Sequence, residues 1–145
     1  MIWIGIDPGV HTGVGVWDSD AKRLEVYTMR IDQALRLVRL LWEDQQQERC
    51  ELSLRVVVED ARQRRWIPRE FSWSEVKGRA QGAGSIKRDC QIWEDFLVAH
   101  GIRYEMQPPR KGMTKWTSEA FARVTGYAHR TSNHGRDAAM LVFGR

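Results

Sequence analysis

The sequence predicts an α/β fold: a five-stranded mixed sheet, three antiparallel strands followed by parallel ones, flanked by helices. Three observations carry that expectation. Three short segments of alternating apolar character, joined by tight turns, open the chain. An amphipathic helical pattern then leads into a run of β-branched residues. Helical stretches alternate with one more strand pattern over the remainder.

Taken in order, Ile2 to Ile6 reads as a strand running into Asp7-Pro8-Gly9. Pro fixes φ and Gly tolerates positive φ, so the chain is expected to reverse there. Gly13 to Asp18 reads as a second strand, with Val14 and Val16 alternating against Gly15 and Trp17. Leu24 to Ile31 reads as a third, with Leu24, Val26 and Thr28 on one face. A helix follows, with Asp32 as the expected N-cap and Ala34, Leu35, Val38, Leu41 and Trp42 at spacings of three and four. Leu52 to Val58 then forms a strand that ends in Glu59-Asp60 and returns to the sheet parallel to its partner. Arg62 to Ser74 is a polar, aromatic connection. A long helix spans Ser74 to His100, and Gly78, Gly82 and Gly84 within it imply close backbone approach or a bend. Ile102 to Met106 is a fifth strand, stopped by Pro108-Pro109. Thr117 to Thr125 is a helix closed by Gly126, and His134 to Phe143 is the last helix.

Composition narrows the functional classes. The 145 residues, 42% hydrophobic and 29% charged, suit one globular domain over 1–145. No run approaches the roughly 20 apolar residues of a membrane helix and no signal-peptide pattern is present, so a cytoplasmic protein is expected. Cys50 and Cys90 lack a CxxC partner, which excludes a zinc constellation and favours two reduced thiols. The net charge is +4 and the pI about 9.4. Arg62 to Arg88 carries eight Lys/Arg against two Glu, and Pro108 to Arg130 carries five against one. Asp32 to Asp60 is acidic, with seven Asp/Glu against four Arg. Either basic cluster alone could be a solvated face; the two together favour phosphate binding.

Three motifs carry the chemistry. Asp7 leaves an apolar strand immediately before a tight turn, rigidly held yet near solvent as a metal ligand must be; the plainer alternative is an Asx turn. Glu59 closes Val56-Val57-Val58, where an unpaired buried carboxylate would be costly, so it belongs at the sheet's end. Asp60 competes with it, but successive side chains point to opposite faces, and the choice falls on Glu59. His134 and Asp137 stand three apart at the start of the last helix and therefore share a face. The small Ala138 and Ala139 would let that helix pack closely on the sheet. Three acids and a histidine could together hold two Mg²⁺ or Mn²⁺ ions, because hard cations prefer oxygen and Mn²⁺ tolerates imidazole. Such a pair of ions serves phosphodiester hydrolysis.

The Ile4-Gly5-Ile6-Asp7-Pro8-Gly9 opening with Thr12-Gly13, the strand ending in Glu59, and the His134-x-x-Asp137-Ala138 helix resemble the RuvC family of Holliday-junction resolvases. The resemblance spans nearly the whole chain and implies an RNase H-like fold. It implies catalytic metal ligands at Asp7, Glu59, His134 and Asp137, and an endonuclease that nicks branched DNA such as a four-way junction. It also implies a homodimer, whose surface is expected along Gly78 to Ile86 with Trp93 as a further candidate. Lys111 and Lys115, with Arg110, occupy the stretch where the family's lysines approach the scissile phosphate. Arg62, Arg64, Arg65, Trp66 and Lys77 are expected to contact DNA. The chain departs from the family in length, and in lacking an aromatic shortly after Glu59. Arg62 stands three residues on, and Trp66, Phe71 and Trp73 come later, which fits a phage-type or plasmid-type resolvase with looser branched-DNA preference.

Two other readings use the same fold: a YqgF-type nuclease acting on structured RNA, and a nucleic-acid-binding module without catalysis. An actin-like or sugar-kinase ATPase shares the Asp-Gly-Thr type of opening but needs two lobes and far more chain. No nucleotide cofactor is therefore expected.

Overall fold

A computed structural model describes residues 1–47, 54–63, 73–109 and 115–145, with backbone alone for 73–83. The elements are β1 (Ile2–Asp7), β2 (Thr12–Asp18), β3 (Arg23–Met29), α1 (Ile31–Gln47), β4 (Leu54–Glu59), a 3-10 turn (Ala61–Gln63), α2 (Trp73–Ala99), β5 (Tyr104–Gln107), α3 (Ser118–Thr125) and α4 (Asn133–Val142). The five strands form one sheet in the order β3-β2-β1-β4-β5. The β1–β2 and β2–β3 pairs are antiparallel, and β1–β4 and β4–β5 are parallel. This is the mixed layout expected from the sequence. Among the described residues no helix is long and apolar enough to cross a membrane.

The two faces of the sheet are built differently. Even-numbered residues Ile4, Ile6, Val14, Val16, Leu54, Val56 and Val58 face a core closed by Ala34 and Val38 of α1 and by Trp93 and Leu97 of α2. Odd-numbered positions of β1, β2 and β4, and even-numbered ones of β3, face α4. There Trp17, Val57, Leu141 and Val142 form a second cluster, joined by Trp3, Leu24 and Phe143. A Cβ at Gly5 would overlap the Ala138 carbonyl, one at Gly13 the His134 carbonyl, and one at Gly15 the Ala139 backbone. Absence of side chains at these three positions lets α4 lie directly on β1 and β2. The Ala138-Ala139 pair was the half of this contact visible as a motif.

Several local expectations are corrected. Arg30 rather than Asp32 caps α1: its backbone N–H donates to Gln33 Oε1 at 3.1 Å, and its carbonyl accepts from Ala34 N–H at 3.0 Å. Asp32 lies in the first turn and pairs with Arg30. The third strand ends at Met29 because Ile31 already begins the helix. Gly9 does not adopt positive φ. Its turn is closed instead by buried Thr12, whose Oγ1 donates to the Gly9 carbonyl at 2.9 Å. In α2, a Cβ at Gly84 would meet open space, so no close approach explains that glycine. Trp93 has no exposed surface and belongs to the core, which removes it as a dimer contact. Cys90 is a buried free thiol. Residues 52 and 53 of the expected fourth strand lie outside the described residues.

Candidate functional site

β1 and β4 deliver their last residues to the same end of the sheet. The parallel register sets Ile6 beside Val58, one residue before Asp7 and Glu59 on their strands, and Glu59 is itself paired with Gln107 of β5. Both acids occupy odd-numbered positions, the face that α4 covers. Ser132 caps α4, its Oγ accepting from Gly135 N–H at 3.0 Å, and it also meets Thr28 of β3. The cap and the glycine seam together bring the first turn of α4 over the end of β1. His134 Nδ1 and Asp7 Oδ2 are hydrogen-bonded at 2.8 Å, joining residues 127 positions apart. Fixing Nδ1 in this way leaves Nε2 as the nitrogen available to a ligand.

The electrostatics follow from this crowding. Asp7 is mostly covered, its side chain 15% exposed, whereas that of His134 is 44% exposed. Burial pushes the Asp7 carboxyl above its ordinary value; the His134 hydrogen bond and charge pull it back in part, and the Asp137 carboxylate pushes it up again. Burial likewise raises Asp137, offset by the charges of Lys115, His134 and Arg136. Asp7, His134, Asp137 and Lys115 thus form one electrostatically coupled group. Lys115 is exposed and acts on both carboxylates.

Two further residues, given no role from the sequence, shape the site. Arg136 is 7% exposed. Its guanidinium donates to the carbonyls of Trp116 and Thr131, both at 2.8 Å, to Thr131 Oγ1 at 3.0 Å and to Asn133 Oδ1. It thereby ties the segment after Lys115 to the first turn of α4. Asp60, the competitor of Glu59, is a structural anchor, 3% exposed. Its carboxylate accepts from Arg62 Nε at 2.8 Å and Nη2 at 3.0 Å, and its backbone N–H donates to Gln107 O at 2.7 Å.

Arg62, expected to meet DNA, is engaged within the protein. Besides Asp60 it reaches Gln91 Oε1 and Glu94 Oε2 of α2, each at 2.7 Å. This clamp holds the chain just beyond Glu59 against α2, where the Cys90 thiol also donates to the Glu59 carbonyl at 3.7 Å. A high local density of arginine is visible in the sequence, but the partner of each is not. Arg64, Arg65, Trp66, Arg110 and Lys111 lie outside the described residues, and the Lys77 side chain does as well.

The four expected ligands are therefore unequal in closeness. Asp7 and His134 touch, Asp137 is coupled to both, and Glu59 closes the neighbouring strand one residue beyond the Ile6–Val58 pair. Among the described residues no three donor side chains stand as a ready ligand set. The donors nonetheless fit a hard divalent cation: a covered carboxylate at Asp7, pushed up by burial and by the charge of the partly buried Asp137, with an imidazole beside it, is what a cation would relieve. No protein-family model matches the chain, and no curated protein matches its sequence.

Proposed function

We propose that the protein is a metal-dependent endonuclease that nicks branched DNA, acting on four-way junctions in the manner of the RuvC-type resolvases its motifs resemble. The contact between His134 and Asp7, with Asp137 coupled to both, is the observation that carries this reading. Asp7, Glu59, His134 and Asp137 would hold Mg²⁺ or Mn²⁺ ions, two by analogy with the family. When bound, such ions supply Lewis acidity toward the phosphodiester and its leaving oxygen. The protein's own groups do the remainder. Lys115 places positive charge beside the carboxylates and offsets the repulsion between them and an approaching phosphate. The Asp7 hydrogen bond orients the His134 ring, and the Arg136 anchor keeps Lys115 and His134 in one unit.

Resolution requires two paired nicks, so a homodimer with two-fold symmetry belongs to the proposal, with the exposed part of α2 around Ile86 as its surface.

The test is a nicking assay on a labelled mobile four-way DNA junction, with structured RNA in parallel. The wild type is expected to nick the junction with Mg²⁺ or Mn²⁺ and not with chelator. Asp7→Asn is expected to bind the junction without nicking it. Cleavage of RNA in preference to the junction would overturn the substrate assignment. Junction binding without cleavage by the wild type in either metal would overturn the enzyme.

A further inference from the structure

At the opposite end of the sheet, a cleft of about 270 Å³ is lined by Trp3, Arg55, Val56, Arg103, Tyr104 and Glu105. Val56 pairs with Tyr104 and its N–H donates to the Arg103 carbonyl at 2.9 Å, so Arg55 and Arg103, each one residue before that pair, are two like charges on neighbouring segments of chain. Strands in a sheet are only about 4.8 Å apart, and like charges directly opposite each other destabilise a sheet. Both arginines are exposed. Glu105, the acid of this cleft, is already bonded to Arg145 Nη1 at 3.0 Å. Arg145 in turn lies over the Trp3 ring at 5.2 Å, and Arg55 lies over the same ring at 5.7 Å. Two guanidiniums therefore converge on one tryptophan, a third, that of Arg103, lines the same cleft, and Glu105 is the one carboxylate among the lining residues. Trp3, stacked by cations, is not available to a base. The free hydrogen-bonding capacity of the cleft is that of two planar guanidinium forks, which suit phosphate oxygens.

We infer that this cleft is a second DNA contact, binding backbone phosphates of an arm of the substrate away from the cleavage site. Trp3 and Asp7 are four residues apart on β1, which is about 13 Å along a strand. That distance covers about four base-pair steps at 3.4 Å each. A duplex arm leaving the metal centre along the β4–β5 side would bring a phosphate within reach of Arg55 and Arg103. The anion would also relieve the repulsion between them. The inference rests on the reading of branched DNA as substrate.

The experiment measures affinity for a labelled four-way junction in chelator as a function of KCl, for the wild type, Arg55→Ala/Arg103→Ala and Arg55→Lys/Arg103→Lys. Each neutralised phosphate contributes about 0.9 to the slope of log K against log salt. The double alanine variant is expected to lose about 1.8 from that slope. Between about 50 and 200 mM KCl the wild type would then weaken about twelvefold more than the variant. The double lysine variant is expected to keep the wild-type slope, and the alanine variant, freed of the like-charge contact, should melt no lower than the wild type. An unchanged slope in the alanine variant overturns the cleft while leaving junction nicking by the wild type intact. Failure of the wild type to bind any junction overturns both the cleft and the substrate reading.

Discussion

Asp7 occupies a position that penalises its own charge, and this gives the residue a measurable signature besides activity. Burial and the neighbouring Asp137 raise its carboxyl above the ordinary 3.8 despite the His134 bond. A carboxyl with a raised folded-state pKa contributes stability that is present below the unfolded value and lost as pH rises through the folded one. Asp7→Asn is therefore expected to raise the melting temperature at neutral pH, and to give no gain near pH 3, while reducing nicking by more than about 100-fold. Asp60 behaves in the opposite sense. Burial alone would raise it, but the side-chain and backbone hydrogen bonds from Arg62 outweigh burial and hold it below 3.8. Its contribution is present above the unfolded value and is lost as pH falls through the depressed folded one. Asp60→Asn is expected to cost about 2 kcal/mol at neutral pH. Chemical denaturation at pH 7 and near pH 3 should show the loss shrinking at the lower pH. The pair Glu59-Asp60 shows what alternation along a strand can decide from sequence: it separates the two acids onto different surroundings. It does not say which one Arg62 will hold, since that depends on α2 arriving beside the strand end.

The seam between α4 and the strands decides whether His134 reaches Asp7. Gly13→Ala would push a methyl into the His134 carbonyl, backbone that cannot swing aside. The expected cost is about 1–3 kcal/mol, read by denaturant titration, together with a fall in nicking as the first turn of α4 is displaced. Gly9→Ala is the contrasting case: its Cβ would meet nothing nearer than the His11 carbonyl at 3.9 Å, and its φ is not positive. Stability should change by less than about 0.5 kcal/mol. In the sequence both glycines belong to the same opening motif and look equivalent. Periodicity identified the strands and helices because apolar spacing is a local property. The roles of Gly5, Gly13 and Gly15 were not legible, because a glycine in a strand reads the same whether it faces a helix, a turn or solvent. Gly78, Gly82 and Gly84 were expected to mark close backbone approach or a bend in α2, and at Gly84 a Cβ would meet open space.

At the scale of the molecule, the sheet order β3-β2-β1-β4-β5 does one thing for function: it sets the ends of β1 and β4 side by side and lays the start of α4 over them. Segments separated by some fifty and by more than a hundred residues meet there. The motifs marked each segment, and the alternation of helix and strand gave the class of sheet. The offset pairing Ile6 with Val58 is a packing outcome that no single segment encodes. In the proposed function Asp7, Glu59, His134 and Asp137 hold divalent cations in common. Mn²⁺ titration followed by electron paramagnetic resonance measures this directly and needs no substrate. The wild type is expected to take up Mn²⁺, with uptake strongly weakened in Asp7→Asn and in Asp137→Asn while both variants remain folded. Equal Mn²⁺ uptake by the wild type and both variants would contradict the account.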